Sequence, residues 1–249
     1  MMQMGRVLRE HAPWHVRKRV REAPTASHLH DFIYGAIDGT VTTFAVVSGV
    51  AGANLDASIV IILGAANLVA DGFSMAVSNF LGSRAVAQQR QLAVHGEERQ
   101  IAASPEQERD AVRRIFEAKG FSGGDLDRVV DVITSDRRVW VETVMSGRDG
   151  LGLADPAPLR AAGATLVAFL TVGFLPLAAF VIDALGWVEI EHAFAWSAAM
   201  TALAFFGVGA LKSRFVEQVW WRSGLETLAV GGLAAALAYG IGAALQGVA

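Results

Sequence analysis

Asp31-Phe-Ile-Tyr-Gly-Ala-Ile-Asp38-Gly-Thr-Val-Thr-Thr-Phe-Ala-Val-Val-Ser-Gly-Val-Ala-Gly52 is the stretch that decides the fold. From residue 32 onward it holds no Lys or Arg, and one carboxylate, Asp38, stands inside an otherwise apolar run. A helix of about 20 apolar residues, rising about 1.5 Å per residue, crosses the roughly 30 Å of bilayer hydrocarbon. After a turn at Gly52-Ala53-Asn54-Leu55-Asp56, a second apolar run continues to residue 83 without a basic side chain. Residues 161–211 and 223–249 are also free of Lys and Arg. The former is long enough for two spans, divided between Asp183 and Glu191, and the latter for one. The reading is an all-α integral membrane protein with transmembrane helices near 32–52, 58–83, 160–182, 192–211 and 224–246.

The whole composition agrees. Of the 249 residues 53% are hydrophobic and 18% charged, against about 25% charged in soluble domains, and the mean hydropathy is +0.40. The absence of Cys excludes a disulfide framework, thiolate zinc sites, iron–sulfur clusters and cysteine nucleophiles. A net charge of −3 gives no case for nucleic-acid binding. No Gly-rich phosphate loop or Ser/His/Asp set stands out, so an enzyme is not expected. The 21 Lys and Arg fall within 1–31, 84–160 and 212–222, which the five-span reading places on one side of the membrane. The opposite side shows only Asp56, Asp183, Glu189 and Glu191. By the positive-inside rule the N-terminal segment 1–31 and the insert 84–158 are cytoplasmic, and the C-terminus is outside. Trp187 and Trp196 near the outer ends, and Trp220 and Trp221 near the inner one, suit interfacial belts. The first apolar run begins only after residue 31, so no cleavable signal peptide is expected. The domains are then 1–31, spans one and two at 32–83, the insert, and spans three to five at 159–249.

The insert is charged throughout and reads as water-soluble helices. Arg84 to Ala103 continues the second span with no breaker but Gly96. Ser104-Pro105-Glu106-Gln107 has the form of an N-cap followed by proline at the first helical position. Val112, Ile115 and Phe116 give the new helix one apolar face, and Lys119-Gly120 stops it. Leu126, Val129, Val130 and Ile133 do the same for a helix after Ser122. Val139, Trp140 and Val144 do so for one near 136–146.

Chemistry is expected where polar groups sit in the spans. A carboxylate in hydrocarbon costs about 2.5–3.5 kcal/mol on insertion scales, which makes it a functional site by default. Asp31 and Asp38 are two helical turns apart and share a face. In the second span Asn67, Asp71, Met75 and Asn79 recur every four residues, with Ser74 and Ser78 alongside, drawing one polar stripe with a thioether in it. Carboxylate and amide oxygens suit hard or borderline divalent ions, and a thioether adds softness that a first-row transition metal can use. Ligating carboxylates must lose their protons first, so proton exchange for metal is built into such a set. Hydrogen bonding between helices is the ordinary role of Asn and Ser in spans, and packing that of a lone Met. Asp38 and Asp71 differ, because no Lys or Arg lies within any span to neutralise them, Arg160 standing at the very start of the third. Glu226 lies one turn from Arg222 and reads as half of an interfacial ion pair. His28, His30 and His95 are metal-capable but read as solvated.

The 31–52 stretch, together with Asn67-Leu-Val-Ala-Asp-Gly-Phe-Ser-Met-Ala76, resembles the first two spans of the vacuolar iron transporter family. Phe206-Gly-Val-Gly-Ala-Leu-Lys-Ser-Arg214, Trp221-Arg-Ser-Gly-Leu-Glu226 and Gly231-Gly-Leu-Ala-Ala235 resemble its fourth and fifth, so the likeness covers roughly 28–246. The resemblance implies a homodimer of five-span subunits in the lipid bilayer, moving Fe²⁺, and in some members Mn²⁺, out of the cytosol in exchange for H⁺; Co²⁺ or Zn²⁺ are further cargo to test. It implies an inner plasma membrane location, or a vacuolar one in a eukaryote. Asp38 and Met75 would line the ion path between subunits, with Asp31 at its cytoplasmic mouth, Asn67 on the path and Asp71 in support. The insert resembles a cytoplasmic metal-binding domain, with Glu97, Glu98, Glu108, Glu142 and Met145 at or near its ligand positions.

The chain departs from the family pattern at Asn79 and Ala111, where carboxylates are common, and at Arg148, which precedes Asp149-Gly-Leu151 where a glutamate is usual. Gln88, Gln89 and Gln91 dilute the long helix. These changes imply a weaker or smaller cytoplasmic ion store beside an intact membrane path. The competing readings are a membrane-anchored metal sensor or storage module, and a proton-coupled porter for another substrate.

Overall fold

The computed structural model describes residues 28–148, 157–216 and 218–247, with the side chain of Arg148 excepted. The 1–27 part of the N-terminal segment, the Arg148 side chain and Asp149-Gly-Leu151 therefore lie outside the described residues. All the regular structure described is helical: α1 (Leu29–Gly52), α2 (Ala57–Ala103), α3 (Pro105–Ala118), α4 (Gly123–Ser135), α5 (Arg137–Arg148), α6 (Pro158–Gly173), α7 (Leu175–Ala184), α8 (Ala193–Lys212) and α9 (Trp220–Leu245). The chain divides into two compact units. One comprises Ser27–Gly82 with Pro158–Ala249, and the other contains Ser83–Ala157. Helix α2 contributes its first part to the former and its second to the latter.

In the first unit α1, α2, α8 and α9 are each long and apolar enough to cross a membrane, and α6 with α7 makes a fifth crossing if that bent pair is one span. α1 is the most enclosed of these and α9 the least, because α6, α7, α8 and α9 all pack on α1. The approach is close where side chains are missing. A Cβ on Gly35 would overlap the Thr165 carbonyl, and one on Gly39 would lie 2.7 Å from that of Phe169. Small residues let membrane helices touch backbone to backbone, where van der Waals packing is the main attraction available. Phe44, Val47, Leu68, Phe169, Leu177 and Phe205 fill the space left between helices.

The third expected span, 160–182, is two helices meeting at 51° across Phe174. Pro176 sits in the first turn of α7; it has no N–H to give the carbonyl one turn back, and its ring crowds that carbonyl. Two bonds repair the break: Leu177 N–H donates to Phe174 O at 2.9 Å, and the buried Ser197 Oγ of α8 donates to Pro176 O at 2.6 Å. A bend in hydrocarbon is tolerated where neighbouring helices re-satisfy the freed groups in this way. Outside the helices, Asn54 turns the chain into α2 with φ of 56°, and Asp183 Oδ1 accepts from Ile190 N–H at 2.9 Å to close the α7–α8 loop.

In the second unit α3, α4 and α5 form a bundle with the later part of α2 around Ile101, Val112, Leu126, Val130, Trp140, Val144 and Met145. The expected inward residues of the three short helices all belong to this core or to its margin, apart from Ile115 and Val139, which line a depression of about 700 Å³ between α3 and α5. Arg109–Asp131 and Arg113–Asp127 pairs join α3 to α4, and Arg137 Nη2 donates to Glu98 O at 2.8 Å to join α5 to α2. Ser104 stands at the N-cap of α3 as expected, but its hydroxyl makes no capping bond. Gly120 ends that helix with φ of +93°, a conformation that glycine adopts without steric cost.

Candidate ion path and candidate metal site of the insert

The first two spans run in opposite directions, so residues near the start of α1 face residues late in the membrane part of α2. Asp31 and Asn79 are at one level: Asn79 Nδ2 donates to Asp31 Oδ1 at 3.0 Å. Seven residues along α1 and eight back along α2, about two turns each, bring Asp38 level with Asp71. The two carboxylates lie close enough for their charges to interact, and no basic side chain pairs with either among the described residues.

Asp38 is exposed on the single chain, whereas Ile33, Ala36, Gly39 and Thr40 around it on the same helix are buried. The packing face of α1 is taken up by the close approach to α6, and helical rotation sets Asp38 at its edge. Asp71 and Asn67 are half-buried on the adjoining flank of α2, and the buried Nδ2 of Asn67 has no hydrogen-bond partner. Met75 is half-buried and packs against the core cluster of the membrane unit. The structure thus gathers Asp38 and Asp71 at one level and Asp31 with Asn79 at another, and sets Met75 one helical turn from Asp71 and one from Asn79.

Around Asp31 the arrangement is tighter than the sequence suggests. Asn79 Nδ2 also donates to Thr165 Oγ1 at 2.7 Å, and His28 Nδ1 lies 3.5 Å from Asp31 Oδ2. Sequence reading does not single out Thr165. Its signal is a lone hydroxyl on the face of the third span that also carries Ala161 and Ala168 into the bundle. Glu226 pairs with Lys212 at 3.4 Å and not with Arg222, whose guanidinium lies over the Trp221 ring. The α8–α9 hairpin makes that partner available, and residue spacing along one helix does not reveal it.

The candidates in the insert divide in two. Glu97, Glu108 and Met145 are buried in the helical bundle. Glu98 accepts from the exposed His95 at 3.3 Å, and Glu142 lies 3.9 Å from Arg138 at the edge of the α3–α5 depression. No group of three or more His, Asp or Glu close enough to hold a metal ion occurs among the described residues.

Comparison with known proteins adds a family. The model of the VIT family matches residues 29–243. A vacuolar iron transporter of Toxoplasma gondii is 31% identical over 232 residues, which cover 89% of this chain and 76% of that protein. Vacuolar iron transporter 1 of Arabidopsis thaliana is 30% identical over 224 residues, 88% of this chain and 86% of the relative. Vacuolar iron transporter 2 of Oryza sativa is 28% identical over 223 residues, 88% of each.

Proposed function

The chain belongs to the VIT family, and from that premise we propose that it carries Fe²⁺, with Mn²⁺ as a second cargo, out of the cytosol in exchange for protons. It is a membrane transporter and not an enzyme. The observation that carries the finer reading is the Asp38–Asp71 pair. Two carboxylates at membrane depth, level with one another with interacting charges and with no basic partner among the described residues, are costly unless a mobile cation or proton neutralises them. Exposure of Asp38 on the single chain favours a path completed by a second copy, hence a homodimer. In this reading the bent pair α6–α7 crosses as one span, which makes five, and the basic ends of the helices and the insert face the cytosol.

Asp38 and Met75 hold the ion in transit, Asp71 supports them or takes the exchanged proton, Asn67 offers its amide oxygen, and Asp31 receives the ion at the inner mouth. Glu97, Glu98, Glu108, Glu142 and Met145 of the insert collect metal before it enters. The test is Fe²⁺-driven proton movement in proteoliposomes, read with an internal pH dye: coupled flux supports antiport, and iron movement with no proton counterflow contradicts it. Met75→Leu keeps the volume and removes the sulfur. It is expected to raise the KM for Fe²⁺ several-fold while leaving proton leak unchanged; equal loss of both would remove the thioether from the ligand set.

A further inference from the structure

Three helices meet through one side-chain amide. The two hydrogens of Asn79 Nδ2 go to Asp31 Oδ1 on α1, at 3.0 Å, and to Thr165 Oγ1 on α6, at 2.7 Å. Thr165 is 1% exposed, and its own hydroxyl hydrogen has acceptors in Ala161 O at 3.1 Å and in Asp31 O at 3.4 Å. Both are backbone carbonyls, which fixes its polarity: Thr165 donates to the backbone of α6 or α1 and accepts from Asn79. The second Asn79 hydrogen is then committed to Asp31 Oδ1, and only Oδ2, on the side of His28, is left free of this network. The side chain of Asp31 is 21% exposed, so its carboxylate is partly open to the surface while one oxygen is held inside.

We propose that Asn79 and Thr165 are positioning residues for Asp31, holding its carboxylate in one orientation so that Oδ2 is presented to the arriving divalent cation. This rests on the transport reading and adds two residues to it. An unheld Asp at the start of a helix samples several rotamers, and the entropy of choosing one falls on each binding event. Here the choice is made beforehand by a hydrogen-bond chain anchored in a buried threonine. The amide carries no charge, so it orients the carboxylate without neutralising it, as a lysine would.

The experiment measures initial Fe²⁺ uptake against Fe²⁺ concentration in proteoliposomes of wild type, Thr165→Val, Thr165→Ser and Asn79→Ala. Valine keeps the shape of threonine and removes the hydroxyl; serine keeps the hydroxyl. A hydrogen bond to a charged group is worth about one factor of ten or more in binding. Thr165→Val and Asn79→Ala are therefore expected to raise KM about tenfold with kcat within about twofold, and Thr165→Ser to return KM to the wild-type value. A purely structural role would change the yield of folded protein and leave KM per folded molecule unmoved. Unchanged KM in both Thr165→Val and Asn79→Ala overturns the proposal, and so does a serine variant as impaired as the valine one. If Thr165→Val does not fold, Asn79→Ala against wild type decides. Absence of uptake by wild type would overturn the transport reading itself, a result distinguishable from wild-type uptake with unaltered variants.

Discussion

Asp38→Ala is expected to abolish Fe²⁺-driven proton flux in proteoliposomes, lowering it by more than about 100-fold, since loss of groups that only support metal ligands already costs about 10–100-fold. The folded structure should survive. Asp38 is exposed on the single chain, its backbone carbonyl, which a substitution keeps, is what accepts from Thr42 Oγ1 at 2.9 Å, and removing a charge from a membrane span is favourable by itself. Asp38→Asn should fail in the same way, because an amide of equal size neither exchanges a proton nor neutralises a divalent ion. Flux within twofold of wild type in Asp38→Ala would remove Asp38 from the path.

Gly242→Leu is expected to disrupt the membrane unit. A Cβ at residue 242 would overlap the backbone carbonyl of Gly49 and lie 2.9 Å from Ala53 N, and one turn away a Cβ on Gly52 would overlap the Tyr239 carbonyl. The obstacles are backbone atoms of α1 and α9, which cannot rotate aside as a side chain can. Overpacking a closed contact costs about 1–3 kcal/mol; here the two helices must separate, and the loss is expected at or above the upper end of that range. Gly232→Leu and Gly240→Leu are the controls. A Cβ at either position meets nothing within 4 Å, so stability should stay within about 0.5 kcal/mol of wild type. Thermal unfolding and monodispersity in detergent read the difference. Equal melting of the Gly242 and Gly232 variants would contradict the close α1–α9 contact.

The helices were legible because apolar length and charge asymmetry are coarse signals that survive without knowledge of neighbours. α1, α8 and the start of α2 fall within a few residues of the expected bounds, and the three short helices of the insert follow their Ser, Pro and Gly punctuation. The four-residue stripe in α2 was legible for the same reason, since periodicity is a property of one helix. What required a second helix was not. The break at Phe174 is marked in the sequence by Pro176, but its repair depends on how Ser197 of α8 meets the Pro176 carbonyl. The Lys212–Glu226 pair depends on the α8–α9 turn, and Thr165 acquires its role only when α6 lies against α1 and α2. The candidate ligands of the insert rest on resemblance alone, and in the folded bundle they divide between a buried core and solvent-facing pairs with His95 and Arg138.

The central claim is that a mobile cation neutralises the carboxylates at mid-membrane. Crystals grown with Co²⁺, measured at the cobalt absorption edge, test it most directly. The account predicts an anomalous peak bounded by Asp38, Asp71 and Met75, lost in Asp38→Ala. Full occupancy elsewhere with no peak at Asp38, and that side chain lying against acyl chains, would contradict it.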